Sequence, residues 1–201
     1  MANDEELLAR FIKGDEAAFT ELVSRHQREL FTFLRRFVND ASAADDLFQE
    51  TFLQVYRSAE SFDGSRRFRP WMFAIAANKA RDYLRAAVRR RSQSLDGAFG
   101  PADSAQGYDP PDIHQTSVSD RLEQREDAGE VRRVLAGLPD IYREVLTLSY
   151  FHRFAYKQIS EMLGIPLGTV KSRLNTAMAI FSRAWQTSEA ERKSRRHGKR
   201  E

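Results

Sequence analysis

Cysteine is absent from this chain of 201 residues, and proline and glycine are scarce. Without a thiol, the chain holds no disulfide and no thiolate zinc site. Its six prolines and ten glycines exclude a collagen-like or low-complexity protein. No run approaches the roughly 20 apolar residues of a membrane-spanning helix, and the acidic N-terminal stretch is unlike a secretory signal. These absences predict a soluble, cytoplasmic protein.

What is present is a core-forming composition with an uneven distribution of charge. Hydrophobic residues make up 41% and charged residues 30% of the chain, which is enough apolar material to bury a core. Acidic residues outnumber basic ones by nine to two in residues 92–130, whereas basic residues outnumber acidic ones by 14 to six in residues 131–201. A basic C-terminal part indicates a polyanionic partner, with ordinary surface charge as the alternative.

Residues 1–91 have a helical pattern of apolar residues. One stripe recurs at steps of three and four: Phe19, Leu22, Val23, His26, Leu30, Phe33, Leu34 and Phe37. A break near residue 40 follows, where Ser42 is a candidate N-cap for the next helix. Asp63-Gly64 predicts a turn, and Pro70 suits the first turn of a helix over residues 71–90.

The remainder divides into three further segments. Residues 92–130 lose all periodicity and predict a flexible acidic linker. Residues 131–188 regain apolar stripes, the second of which begins at Ile141, and residues 189–201 are predicted to form a basic, disordered tail. We therefore predict an all-α protein of two small helical domains joined by a flexible linker.

The second domain contains a helix-turn-helix pattern over residues 156–174. A short amphipathic helix ends at Gly164, and a second helix opens at Pro166. On that second helix Val170, Leu174 and Ala177 share the buried face, while small polar residues lie opposite with a cation on each flank. This face suits a DNA major groove. A helical hairpin that merely packs, and cations that touch only phosphates, are the alternatives.

Three motifs in this order resemble those of bacterial RNA polymerase sigma factors of the extracytoplasmic-function (ECF) type. They are residues 45–52, residues 68–78 continued by residues 82–85, and residues 165–174. The resemblance implies a polymerase-binding and −10-recognising domain over residues 1–91 (sigma region 2) and a −35-reading domain over residues 131–188 (sigma region 4). It also implies that the linker threads the RNA exit path, where composition alone predicts only a tether.

The first motif places polar and acidic residues on one helix face. Asp46, Gln49, Glu50 and Leu53 are spaced at i, i+3, i+4 and i+7, next to Asp45. The resemblance implies that these five residues bind the β′ clamp coiled coil of core polymerase. It also implies that the chain contacts the β subunit of the polymerase. A solvated face, a helix N-terminus that favours Asp45 and Asp46, and a metal site at Asp45, Asp46 and Glu50 are the alternatives.

The second motif interleaves aromatic residues with cations, as single-stranded nucleic acid binding requires. The resemblance implies capture of a flipped −10 base. The residues assigned to this −10 contact are Phe62, Asp63, Arg66, Arg67, Arg69, Asn78, Lys79, Arg81 and Arg85. Among them, Arg66, Arg67 and Arg69 are expected to be exposed, whereas Trp71 is expected to belong mostly to the core.

The resemblance implies that the third motif and the two residues after it make the −35 contact, to which Thr169, Lys171, Ser172, Arg173, Asn175 and Thr176 are assigned. Two positions depart from the family pattern, because Thr176 and Met178 replace the usual arginines. Ala43, just before the first motif, likewise stands where family sequences often carry an acidic residue. The basic tail is a candidate source of compensating charge.

Two other classes of function are the alternatives. A stand-alone helix-turn-helix regulator would bind duplex DNA without polymerase. An enzyme is disfavoured, since the chain has no glycine-rich phosphate loop and no nucleophile elbow, and its four histidines are far apart. No cofactor or metal is expected. The resemblance implies core polymerase, promoter DNA and an anti-sigma protein as partners of a chain that is monomeric when free.

Overall fold

The computed structural model describes residues 2–94 and 128–197, and of residues 91–94, 128 and 191–197 only the backbone. The described residues form helices and contain no strand, which confirms the all-α prediction. The helices are α1 (Asp4–Ile12), α2 (Glu16–Val38), α3 (Ala41–Ser58), α4 (Phe68–Ser94), α5 (Ala128–Ala136), α6 (Asp140–Leu146), α7 (Tyr156–Leu163) and α8 (Leu167–His197). A 3₁₀ turn (Ala59–Ser61) follows α3, and a π-helical turn (Thr147–Phe151) continues α6.

Side chains cap the first three helices at their N-termini. Asn3 and Glu6 form a reciprocal capping box on α1, with bonds of 2.7 and 3.0 Å. Asp15 accepts from the backbone N–H of Ala18 at the start of α2. The prediction of Ser42 as the cap of α3 is wrong. The cap lies two residues earlier, at Asp40, which accepts from the N–H of Ala43 at 3.2 Å.

The first domain packs α1 to α4 around the apolar stripe predicted on α2. Leu22, Leu30, Phe33, Leu34 and Phe37 are all fully buried. Opposite this stripe, α4 contributes a buried row that includes Phe68, Met72, Phe73, Ala76 and Ala80. The single stripe is therefore the core of the domain, as the three- and four-residue spacing indicates.

The second domain packs α5 to α8, and its helix pattern departs from the sequence prediction at α6. Ile141, which opens the predicted second stripe, is 46% exposed, whereas Arg143 and Glu144 are buried. The π-helical turn after Leu146 adds one residue to the helix turn, with His152 N–H bonded to the Thr147 carbonyl at 3.2 Å. This turn changes which side chains of the helix face the core, and the spacing of apolar residues in the sequence does not reveal it.

The two domains are in direct contact. Helix α7 packs on α4, and the π-helical turn packs against α2. The ring of Phe73 on α4 lies 4.9 Å from the ring of Phe154, and Phe33 on α2 lies 5.5 Å from the imidazole of His152. One apolar cluster runs from the first domain into the helix-turn-helix. The structure is thus a closed form.

The helix ends near the two domain boundaries differ from the sequence prediction. Helix α4 begins at Phe68 and places Pro70 within its first turn, where proline is tolerated. Most of the predicted linker, residues 95–127, lies outside the described residues. At the other end α8 continues to His197, into the segment predicted to be disordered from residue 189. Glu189 precedes Lys193 by four residues, a spacing that stabilises a helix.

Two absences concern the described ranges only. In residues 2–94 and 128–197 no helix has the length and apolar character to cross a membrane. Within the same ranges no three His, Asp or Glu side chains are grouped as metal ligands, so Asp45, Asp46 and Glu50 do not form such a group.

Candidate functional site

An exposed strip runs along α3. Its members are the five residues assigned to polymerase binding: Asp45, Asp46, Gln49, Glu50 and Leu53, all exposed. The opposite face of α3 is buried through Leu47, Phe52 and Val55. Because α3 begins at Ala41, its first turn holds no acidic residue. The helix macrodipole, whose effect falls off within one turn, therefore does not account for Asp46.

The loop between the 3₁₀ turn and α4 presents two cations to solvent. The side chains of Arg66 and Arg67 are 75% and 80% exposed. Asp63 shapes this loop, because its carboxylate accepts from the N–H and the hydroxyl of Ser65 at 3.0 and 2.7 Å. The hydrogen bonds from Ser65 lower the pKa of Asp63. Asp63 therefore positions the loop. The arginines are largely exposed to solvent, with long ion pairs of 3.5 Å from Arg66 to Asp63 and 3.9 Å from Arg67 to Glu5.

The start of α4 is held by a carboxylate that the sequence pattern did not single out. Glu5 on α1 accepts from the backbone N–H of Phe68 at 2.9 Å, which satisfies a first-turn donor. The ring of Phe62 lies 4.8 Å from that of Trp71, and both side chains are half-buried. Trp71 is thus only partly a core residue, and the pair forms an aromatic platform beside the arginine loop.

Further along α4 the assigned residues form hydrogen bonds and ion pairs with protein groups. Asn78 and Arg85 are exposed, and Arg85 pairs with Asp82. Arg81 donates to the amide oxygen of Asn78. Lys79 lies 3.1 Å from the carboxylate of Glu50 and so joins α4 to the strip on α3.

Arg69 is not exposed as expected. Its side chain is 32% exposed and pairs with Glu29 on α2. It also donates to the His152 carbonyl at 2.7 Å, and its guanidinium lies 4.1 Å from the ring centroid of Phe154. Burial raises the pKa of Glu29, but bonds from His152 and Arg69 outweigh burial and lower it to about 2.

The helix-turn-helix has the predicted buried face. Val170, Leu174, Ala177 and Phe181 are buried on α8. The turn is built on Gly164, whose φ of +65° is the left-handed conformation that glycine adopts without strain. The Ser160 hydroxyl fastens it by donating to the Ile165 carbonyl at 2.6 Å. The two helices are thereby joined by a short glycine turn, as in a helix-turn-helix.

The residues assigned to the −35 contact surround the outer face of α8. Ser172 is exposed, and Thr169, Lys171, Arg173, Asn175 and Thr176 are half-buried. Two hydroxyls bond within the helix, Ser172 to the Thr169 carbonyl and Thr176 to the Ser172 carbonyl, at 3.1 and 3.2 Å. Their oxygens remain available as acceptors.

Sequence reasoning missed three polar residues between the domains: Glu29, Glu144 and His152. Glu144 and His152 are 2% and 3% exposed. Burial raises the pKa of Glu144 to about 7, against the pull of Arg81 and Arg173. Burial lowers the pKa of His152, against its bond to Glu29. The signal in the sequence for Glu144 and His152 was their position among apolar residues, whereas Glu29 follows the polar run 26–28 and had no such signal.

A helical chain with an exposed acidic strip, an arginine loop and a helix-turn-helix has the features of a DNA-binding transcription protein. Residues 22–90 match the family model of sigma-70 region 2, and residues 128–180 match that of sigma-70 region 4. The chain belongs to the sigma-70 family of RNA polymerase sigma factors, in its ECF group.

Curated relatives span most of the chain. The RNA polymerase sigma-H factor of Pseudomonas aeruginosa is 32% identical, over 91% of this chain and 94% of its own. The ECF RNA polymerase sigma-E factor of Haemophilus influenzae is 35% identical, over 89% of this chain and 93% of its own. Because both domains match sigma-70 regions, the comparisons do not favour the alternative that the chain is a stand-alone helix-turn-helix regulator.

Among solved structures, CnrH in complex with the cytosolic domain of CnrY has a similar fold. It is 26% identical, with a TM-score of 0.65, over 92% of this chain and 97% of that chain. The resemblance predicted from the three motifs is therefore confirmed by comparisons that cover both domains.

Proposed function

We propose that this chain binds core RNA polymerase through the strip on α3 and directs it to promoters. The observation that carries the proposal is that Asp45, Asp46, Gln49, Glu50 and Leu53 are exposed together while α3 buries its other face. An exposed strip of carboxylates with one apolar side chain is complementary to a basic, partly apolar helical surface. The β′ clamp coiled coil is the surface that the family implies.

Promoter recognition is divided between the domains in this proposal. The outer face of α8, from Thr169 to Thr176, reads the −35 duplex from the major groove. The −10 strand binds beside the loop that carries Arg66 and Arg67, which contact phosphates while the Phe62–Trp71 pair receives unstacked bases. The chain does no covalent chemistry of its own and acts in the cytoplasm, where polymerase and chromosome meet.

A protein inhibitor is part of the same proposal. CnrH was solved with the cytosolic domain of CnrY bound. We infer that an anti-sigma protein binds this chain as well and covers surfaces that polymerase or DNA requires.

In vitro transcription tests the proposal. Purified core polymerase and genomic promoter fragments are incubated with and without the chain, and start sites are mapped. We expect new, discrete starts that depend on it. The double variant Asp46→Ala/Glu50→Ala should lose them together with polymerase binding, because two charged contacts of about 1–2 kcal/mol each correspond to roughly 30- to 1000-fold in affinity.

The control is Glu161→Ala, which removes one exposed carboxylate on α7. It should keep both polymerase binding and the new starts. Tight binding of duplex DNA by the chain alone, without polymerase binding and without new starts, would overturn the proposal in favour of the stand-alone regulator.

A further inference from the structure

The first turn of α1 contains consecutive polar residues whose side chains have different partners. Asn3 and Glu6 cap α1 itself. Asp4 faces α2, where its carboxylate lies 2.7 Å from Nε2 of the buried His26. Glu5 faces the start of α4, and its side chain is 21% exposed. The first turn of α1 therefore connects α2 with the helix to which the −10 contact is assigned.

Helix α1 is a firm support for this connection. Its buried face belongs to the core of the first domain and consists of Leu7, Leu8 and Phe11. Asp4 adds an ion pair with Arg25 of α2 at 2.7 Å. Because both its apolar face and its first turn are fixed on the first domain, α1 holds the carboxylate of Glu5 at a defined position.

The arginine loop, residues 62–67, is fixed at its start and in its middle by backbone hydrogen bonds. The Phe62 N–H donates to the Ala59 carbonyl at 3.1 Å, and the Arg66 N–H donates to the Asp63 carbonyl at 2.9 Å. These two bonds close short turns within the loop. Neither of them holds the end of the loop, where the chain enters α4.

The end of the loop is fixed by Glu5. Arg67 is the last residue before α4, and a guanidinium group has no acceptor with which to cap a helix. Glu5 caps α4 from another helix, since its Oε1 accepts from the Phe68 N–H at 2.9 Å. Its Oε2 lies 3.9 Å from Nη1 of Arg67. One carboxylate thus holds the backbone where the loop meets α4 and lies close to a cation of the loop.

We propose that Glu5 is a positioning residue for the −10 strand. By fixing the end of the arginine loop on α1, it sets the places at which Arg66 and Arg67 meet phosphates beside the Phe62–Trp71 pair. A loop that already has its binding shape loses less conformational entropy when DNA binds. The proposal rests on the proposed function of this loop.

Phe68 transmits the effect of the cap to the aromatic pair. Its side chain is fully buried, and its ring centroid lies 5.9 Å from that of Trp71 and 6.4 Å from that of Phe62. A shift of the Phe68 backbone therefore moves the ring against which the pair packs. Loss of Glu5 should disturb the aromatic pair and the arginines together, although Glu5 itself contacts no DNA in this proposal.

The sign of the effect separates positioning from simple electrostatics. Glu5 carries a negative charge beside a surface that we propose to bind phosphates, so removal of its charge alone would strengthen DNA binding. Glu5→Gln removes the charge but keeps an oxygen that accepts the Phe68 N–H bond. Glu5→Ala removes both. We therefore expect Glu5→Gln to bind the −10 strand at least as well as wild type, and Glu5→Ala to bind it more weakly.

Amide hydrogen exchange in the full chain tests the bond itself. The Phe68 N–H should exchange faster in Glu5→Ala by about tenfold or more, because the lost bond has a charged acceptor. In Glu5→Gln it should stay protected. An unchanged exchange rate in Glu5→Ala would show that Glu5 does not hold the start of α4 and would refute the proposal.

Promoter melting by the complex with core polymerase tests the function. At the start sites that depend on this chain, permanganate reactivity of unpaired thymines measures the melted fraction. Glu5→Ala should lower the melting equilibrium about tenfold, for the loss of one charged bond, while binding to core polymerase through α3 stays at the wild-type level. Glu5→Gln should melt at least as much DNA as wild type.

Glu6→Ala is the matched control. It removes the neighbouring carboxylate, which accepts from the Asn3 N–H at 3.0 Å and so caps α1 without a bond to α4. It should destabilise α1 to a similar extent and melt promoters as wild type does. Equal melting defects in Glu5→Ala and Glu6→Ala would show that α1 contributes only stability and would overturn the proposal.

A double-mutant cycle tests whether Glu5 acts through the loop. In the background Arg66→Ala/Arg67→Ala, Glu5→Ala should cause a much smaller further loss of melting than in wild type, since the residues that it positions are already gone. Fully additive losses would contradict the proposal, because Glu5 would then act independently of the arginines.

The outcome for wild type separates this proposal from the proposed function. If wild type directs no new starts, the proposed function fails and the role of Glu5 fails with it. If wild type melts promoters and Glu5→Ala melts them equally well, the proposed function stands and only the positioning role is refuted.

Discussion

Glu144 shows how burial decides the protonation of a single residue. A carboxyl group whose pKa rises on folding, here from 4.5 to about 7, favours the folded state in its protonated form. Its contribution to the free energy of unfolding is fully present below pH 4.5 and is lost as the pH rises through about 7. Arg81 and Arg173 face the group from α4 and α8, and Asp140 from α6, without reversing this direction.

Glu144→Gln keeps the shape of the side chain and removes its titration. We expect the variant to be more stable than wild type at about pH 8, by about 1–3 kcal/mol, and to approach it near pH 4.5, because an amide has no charge to desolvate. Urea denaturation at a series of pH values measures the difference, in which the titration of His152 and Glu29 cancels.

Glu161→Gln is the matched control, since Glu161 is exposed. Its stability relative to wild type should stay flat over the same pH range. A Glu144→Gln difference that is equally flat would show that Glu144 does not titrate there.

At the scale of one element, the helix-turn-helix depends on two glycines for different reasons. Gly164 has a φ of +65°, and a Cβ there would meet nothing within 4 Å, so the cost of a side chain is backbone strain alone. Gly168, on α8, also has open space around it, but it has no positive φ. Substitution by alanine should therefore change the stability of the protein in opposite directions at the two positions.

Gly164→Ala should destabilise the protein by about 1 kcal/mol, because alanine is strained in the left-handed region. Gly164→Asn should cost less, since asparagine tolerates that region better. Gly168→Ala should be neutral or stabilise by up to about 1 kcal/mol, through higher helix propensity. Thermal unfolding of the three variants measures these differences, and equal losses for both alanine variants would contradict the assignment of strain to Gly164.

At the scale of the whole molecule, basic charge is concentrated at the C-terminus. Six cations follow residue 190: Arg192, Lys193, Arg195, Arg196, Lys199 and Arg200. Removing residues 190–201 should weaken promoter binding by the polymerase complex and flatten its salt dependence by about 0.9 for each duplex phosphate that is no longer neutralised. Replacement of the six by Gln keeps the length of the chain and should have the same effect, whereas unchanged affinity and slope would show that the tail does not contact DNA.

The sequence predicted the all-α class, the stripe on α2 and the buried face of α8, because these depend on local periodicity. It also predicted the turn at Gly164. It did not predict the burial of Arg69 or the partnership of Arg81 with Glu144, because the second domain must fold back onto the first for these groups to meet. Whether an arginine is exposed depends on the residues that surround it in the folded protein, and the pattern of residues along the chain does not predict them. The capping of α3 by Asp40 rather than Ser42 shows that helix ends are uncertain by a residue or two.

The π-helical turn from Thr147 to Phe151 contains one residue more than an α-helical turn, and this single residue affects the arrangement of the whole molecule. An α-helix advances by about 100° per residue, so removing one residue from this turn would rotate all that follows by that angle. His152 and Phe154 would then lose their positions beside Arg69. Because the turn lies between α6 and α7, which both pack on α8, a one-residue deletion there would change the packing inside the second domain as well as its contact with the first.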